Sequence, residues 1–145
     1  MNASQIRLTY IGGPTVLIEI GSLRFLTDPT FDAAGGDYDI GVAVLHKTQP
    51  PALSPAALGA IDAVLLSHDH HADNLDTNGR KFLPAAKAVL TTASGAERLQ
   101  LPNTRGLTPW NSVPVSDAAT GFEVRATATP ARHGPEGIEP VIGDV

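Results

Sequence analysis

Three of the five histidines in this 145-residue chain stand within four positions, in the run Ser67-His68-Asp69-His70-His71-Ala72-Asp73-Asn74-Leu75-Asp76. Imidazole is the commonest protein ligand for zinc, and a His-x-His pair leaving the end of a strand aims two ring nitrogens at one ion. On this reading His68 and His70 are metal ligands. Asp73 adds a hard oxygen three residues on and is the residue placed to orient a bound water or accept its proton. A fourth donor, His133, lies far downstream after an apolar strand. The alternative is a solvated polar turn with no metal, but three adjacent imidazoles repel when charged and need partners when buried. Asp73 or Asn74 also suits the N-cap of a helix beginning at Leu75, where either is worth about 1 kcal/mol over Ala. The side chain of His71 should point away from that of His70, which makes it the weakest ligand of the three. His46 stands alone in a long loop and reads as exposed or as a residue behind the ligands.

The elements that must position this cluster follow from apolar periodicity. Ile6, Leu8 and Tyr10 alternate with polar neighbours up to Gly12-Gly13-Pro14, Thr15 to Ile20 runs apolar, and Leu23, Phe25 and Thr27 continue the period of two as far as Asp28-Pro29. That pattern predicts an antiparallel meander. Residues 30–52, with Gly35-Gly36 and Pro50-Pro51, read as a long loop of the kind that frames active sites. Ser54-Pro55 opens a short helix closed by Gly59. Ile61 to Leu66 reads as a buried central strand whose end delivers the histidine run. Leu75 to Leu83 reads as a helix weakened by Gly79 and stopped by Pro84, Ala88 to Thr92 as a strand, Ser94 to Leu99 as a helix, and Val113 to Val115 and Phe122 to Thr129 as strands. Trp110 is expected to pack as core or to cover a pocket wall. The order is mixed α/β in one layered domain.

Composition narrows the function classes. Hydrophobic residues make up 42% and charged residues 17%, while Gly 14 and Pro 12 leave no room for a coiled coil or an all-helical bundle. The net charge of -5, with lysines and arginines scattered singly, offers no basic stripe for nucleic acid. No apolar run is long enough for a membrane span, and the polar N-terminus does not read as a signal peptide. With no cysteine there is neither a disulfide nor a thiolate ligand, and a cytoplasmic location is the default expectation.

Five landmarks occur in order over about 125 residues: Tyr10-Ile11-Gly12-Gly13, Thr27-Asp28-Pro29, Leu66-Ser67-His68-Asp69-His70, Asn74-Leu75-Asp76 and Pro130-Ala131-Arg132-His133-Gly134. With them the chain resembles the metallo-β-lactamase fold superfamily, and within it the metal-dependent hydrolases related to ascorbate-lactonase-like proteins. The resemblance implies a layered α/β/β/α sandwich. Residues 1–145 would form one incomplete domain of it, roughly the N-terminal half, with a mixed, largely antiparallel sheet and flanking helices. It implies one or two Zn2+ ions, with Mn2+ or Fe2+ as alternatives, held by His68, His70, Asp73 and His133, and it places Asp28 and His71 behind the ligands as residues that orient them. A turn-forming Asp-Pro is the plainer reading of Asp28. The implied reaction is attack of metal-activated water on an ester, lactone, amide or phosphoester of a small molecule. Rival readings are a metal-binding but catalytically silent domain and a phosphodiesterase or nuclease, the latter disfavoured by the acidic charge.

The resemblance departs from the family pattern in two places. The histidine run has one residue too many: aligned from the left, Ala72 and Asp73 stand where the family carries Asp and His, and aligned from the right, Asp73 and Asn74 do, with Asn in place of an imidazole. Gly143-Asp144-Val145 only mimics a later aspartate motif, so Asp144 is not counted among the ligands. If strands lie beyond Val145, apolar strands such as Val16 to Ile20 and Ile61 to Leu66 are not all covered within one chain, and self-association into a homo-oligomer is expected.

Overall fold

The computed structural model describes residues 5–41, 43–132, 134, 135, 137 and 145. The alternating N-terminal segment forms β1 (Ile6–Gly12) and β2 (Thr15–Ile20), joined by Gly12 and Gly13 at φ 148° and 54°. Positive φ is open to glycine at little steric cost, so this dipeptide sets where the chain reverses. β3 (Leu23–Thr27) completes an antiparallel meander with Leu17 opposite Leu26 and Ile20 opposite Leu23. The segment read as irregular loop holds a small hairpin, β4 (Asp37–Asp39) and β5 (Val44–His46). After α1 (Pro55–Leu58) come β6 (Ala63–Leu65), α2 (Thr77–Phe82) with a 3-10 turn over Leu83–Ala85, β7 (Val89–Thr92), α3 (Ala93–Leu99), β8 (Thr104–Leu107), β9 (Ser112–Asp117) and β10 (Phe122–Thr127).

Six strands form one mixed sheet in the order β1-β2-β3-β6-β7-β8, antiparallel through β3 and parallel from β3 to β8. β6 is internal, as its apolar run requires, and its side chains divide between two cores. Val64 faces the helical side with Leu26, Leu58, Leu83 and Val89. Ala63 faces a second core with Leu23, Phe25, Leu90 and Val115, roofed by the β9–β10 hairpin. The described layers are therefore helix, sheet and hairpin. Among the described residues no helix is long and apolar enough to cross a membrane.

Burial is partial along β2 and β6, with Val16, Ile18, Ile20 and Leu65 half-buried. Ile61, Val64 and Leu66 are buried, as is Leu17 of β2, and the most open apolar surface is on the edge strand β1. There Ile6, Leu8 and Tyr10 are 62%, 65% and 67% exposed. Trp110 is also exposed, at 70%, so its expected place in the core is corrected. It sits in the turn before β9 at φ 69°, with its N–H bonded to the Ala128 carbonyl, which fixes its backbone and leaves the indole outside.

Gly79 is a second correction, because it is a requirement of packing rather than a weakness of α2. A Cβ there would lie 1.8 Å from the Pro29 carbonyl oxygen, so the helix meets the 29–32 loop only if this residue has no side chain. Helix propensity favours Ala over Gly by about 1 kcal/mol, but overpacking against backbone outweighs it. Gly79→Ala is expected to lower stability by about 1–3 kcal/mol in urea unfolding. An unchanged midpoint would show that the 29–32 loop yields freely.

Candidate metal centre

The parallel pairing of β3 with β6, Phe25 opposite Ala63 and Thr27 opposite Leu65, brings the C-terminal ends of both strands to one edge. In open α/β sheets ligands bind beyond the carboxyl ends of parallel strands. Asp28 leaves β3 there, at φ 23° in the left-handed region, with its N–H on the Leu65 carbonyl at 3.2 Å. Its carboxylate accepts the Ser67 N–H at 2.7 Å. Asp28 thus holds the first residue of the histidine loop, Ser67, through its backbone.

Asn74 closes the same loop. It is buried, its amide hydrogen-bonds the Asp28 carboxylate, and its Nδ2 donates to the His68 carbonyl. Neither Asn74 nor Asp73 caps α2; the N-cap is Asp76, whose side chain accepts the Gly79 N–H. The helix begins two residues later than periodicity suggests because Asn74 is committed to the loop.

Within this frame the three imidazoles gather. Ring centres of His68 and His71 lie 5.4 Å apart, and each is 6.2 Å from that of His70. Two imidazoles sharing one tetrahedral zinc at about 2.0–2.1 Å place their centres roughly 5 Å apart, so the cluster is on the scale of a metal centre. His68 and His71 are buried and the His70 side chain is 26% exposed, which makes His71 part of the cluster rather than a bystander. Ser67 Oγ contacts His68 Nδ1 at 2.9 Å, the kind of outer partner that fixes the ring of a metal-ligating imidazole.

Asp73 supplies the chemical test of fit. Its Oδ1 is buried with no hydrogen-bond partner among the described residues, and the Asp73 charge helps to push the Asp28 pKa up. An unsatisfied buried carboxylate oxygen near a second carboxylate, in the same loop as three imidazoles, is an arrangement that a divalent cation relieves. The donors therefore fit a metal in type. Among the described residues, however, no three His, Asp or Glu side chains converge closely enough to enclose an ion. His133 and Asp144 lie outside the described residues, so the convergence of His68 and His70 on His133 is not part of this geometry.

The Asp28 pKa is raised above 3.8, first by burial, against the opposing hydrogen bonds from Ser67 and Asn74. The folded metal-free chain accordingly holds this proton more tightly than the unfolded chain. Stability contributed by protonated Asp28 is present at low pH and is lost as pH rises from the ordinary carboxylate range through the raised value. Asn tolerates positive φ better than most residues and can still accept from Ser67. Asp28→Asn is thus expected to keep or increase the neutral-pH stability of the metal-free chain and to flatten its acid-side slope, while metal affinity falls about 10- to 100-fold. Clear destabilisation at pH 7 together with unchanged metal affinity would reduce Asp28 to a turn former.

Several supporting residues escape a reading by motif. Buried Asp69 takes Arg98 of α3 in a two-pronged pair, with Nη2 at 2.6 Å and Nε at 3.0 Å from Oδ1, and Arg80 of α2 donates to the Asp69 carbonyl at 2.9 Å. Asp76, 1% exposed, gathers the N–H groups of Phe31, Asp32 and Gly79 and the Lys47 ammonium. Only the Asp76-to-Gly79 cap has a local sequence signal. His46 lies in β5, exposed and paired with Asp37, away from the cluster.

A mixed sheet with helices on one face, a β-hairpin on the other and a histidine-rich loop at the ends of its parallel strands defines an α/β chain of the metallo-β-lactamase type. The model of the family described as "Beta-lactamase superfamily domain" matches residues 23–143, and the chain belongs to that family. Uncharacterized proteins of Mycobacterium bovis and Mycobacterium tuberculosis are 42% identical over 76 residues, which are 52% of this chain and 19% of theirs. Among solved structures, an isothiocyanate hydrolase from Delia radicum gut bacteria superposes with TM-score 0.70 at 24% identity, over 94% of this chain and 55% of that one. A protein of Parabacteroides distasonis named as a metal-dependent hydrolase gives TM-score 0.60 at 13% identity, over 96% and 51%. The chain therefore spans about a fifth of these curated relatives and about half of these solved structures, and the likeness to the latter is one of fold.

Proposed function

We propose that this chain carries the metal-binding half of a hydrolase that acts on a small molecule, with zinc as the ion. The observation that carries the proposal is the buried, unpartnered Oδ1 of Asp73 in the same loop as three imidazoles whose centres lie 5.4–6.2 Å apart. The names of the two solved relatives, one an isothiocyanate hydrolase and the other a metal-dependent hydrolase, support the reaction class. His68, His70, Asp73 and His133 would hold the metal. When bound, such an ion lowers the pKa of a coordinated water toward ~7 and provides positive charge opposite a developing oxyanion.

The chain's own residues do the remainder. Asp73 would accept a proton from the attacking water, and Asp28 and Asn74 hold the loop that presents His68. His71 packs edge-on against His68 and limits the orientations of that ring. The bonds considered are an ester, lactone, amide or phosphoester.

Metal analysis and turnover on the full-length protein test the reading. One or two equivalents of zinc are expected, with hydrolysis of an ester or lactone lost on chelation and restored by zinc. Full turnover after complete removal of metal would overturn it.

A further inference from the structure

A cleft of about 440 Å3 opens beside the histidine loop, lined by His70 and His71 on one side and by Thr77, Arg80 and Lys81 of α2 on the other. The protein as a whole is acidic, with a net charge of -5, whereas this cleft is lined by two carboxylates and two cations. The two carboxylates on its wall are already engaged: Asp69 by Arg98 at 2.6 Å and Asp76 by Lys47 at 3.0 Å. Arg80 and Lys81 form no ion pair among the described residues. Arg80 is also held in place, because its Nη2 donates to the Asp69 carbonyl at 2.9 Å and the guanidinium keeps further donors. Two uncompensated cations thus face a cleft whose other wall is the candidate metal loop.

We infer that this cleft is a subsite for an anionic group, a carboxylate or a phosphate, on the molecule that reaches the histidine loop. The inference rests on the hydrolase reading for what happens to that molecule, but not for the capture of the anion. Arg80 contributes a planar fork that matches an oxyanion, and Lys81 contributes a mobile point charge. In a chain of net negative charge, such a local positive field draws an anion to this cleft rather than to the surface at large. Arg80 and Lys81 would therefore determine specificity, selecting acidic over neutral substrates, while the bond-breaking groups remain on the histidine loop.

Titration of the full-length protein with succinate, inorganic phosphate and neutral succinamide, followed by calorimetry, tests the subsite. Succinate or phosphate is expected to bind at least about 10-fold more tightly than succinamide, with an advantage that shrinks as salt is raised. The tighter of the two anions identifies the group. Lys81→Gln is expected to weaken that anion about 3- to 10-fold, and adding Arg80→Gln to weaken it further, so that the preference over succinamide falls. Lys81 is exposed, so the single variant folds, and Arg80→Lys, which keeps the charge without the fork, should retain part of the preference. Equal binding of succinate and succinamide, or anion affinity unmoved in both the single and the double variant, would overturn the inference. Anion capture that depends on Lys81 in a protein that hydrolyses no ester or lactone upholds the subsite and sinks the hydrolase reading. Hydrolysis of 4-nitrophenyl butyrate and the 4-nitrophenyl monoester of succinate in a ratio unmoved by Lys81→Gln does the reverse.

Discussion

Asp76→Ala is expected to lower the unfolding free energy by about 3–5 kcal/mol. Its Oδ1 accepts the N–H of Phe31 at 2.9 Å and of Gly79 at 2.7 Å, and its Oδ2 accepts the N–H of Asp32 at 2.6 Å and the Lys47 ammonium at 3.0 Å. Removing the carboxylate leaves three backbone donors unmet and a Lys47 ammonium with only 13% side-chain exposure facing no counter-charge. An orphaned buried donor costs about 1–3 kcal/mol and an uncompensated buried charge more, so the loss exceeds that of one ordinary hydrogen bond. Asp76→Asn should cost less, because one oxygen can still serve Phe31 and Gly79 while its amide meets the Asp32 N–H and Lys47 unfavourably. Chemical denaturation of both variants would show the order Ala, then Asn, then the native chain. A loss under about 1 kcal/mol for Asp76→Ala would mean that water replaces the carboxylate without penalty.

The second large effect separates catalysis from stability. The His70 side chain is 26% exposed and lines the cleft, so His70→Ala is expected to change the stability of the metal-free chain by about 1 kcal/mol or less. If His70 is a ligand, the same substitution removes a metal bond, and hydrolysis should fall ~10^3-fold or more along with metal content. His68→Ala should abolish metal binding as well, but at a stability cost, because that ring is buried against His71 and Ser67. Calorimetric metal titration beside thermal unfolding reads both quantities. A His70→Ala protein that retains native metal affinity would remove His70 from the centre and leave His71, buried in the same cluster, as the imidazole to examine next.

The same division runs through the fold. Strands β1 to β3, β6 and β7 and helix α3 announce themselves through periodicity and turn glycines, which are set by residues within a few positions of one another. β8 does not, because Thr104, Arg105, Gly106 and Leu107 show no apolar alternation. Gly106 is there for α3, since a Cβ would meet Ala93 Cα at 2.8 Å and Ala96 Cβ at 3.1 Å. The β4–β5 hairpin is equally silent in sequence, its strands being three residues each and mostly exposed.

At the candidate centre the sequence by itself determined which side chains are present and that they leave a buried strand together: His68, His70, His71 and Asp73 after β6, and Asp28 after β3. The tertiary structure alone decided what each one faces. Register between β3 and β6 sets Asp28 against Ser67, 39 residues away, and the packing of α3 sets Arg98 against Asp69, 29 residues away. Asp76 reaches Phe31 across 45 residues, which commits it to holding a loop as well as capping α2. Spacing along the chain reports partners one helical turn or one strand step apart. Contacts closed over tens of residues depend on how sheet and helices pack, and no local pattern carries that information.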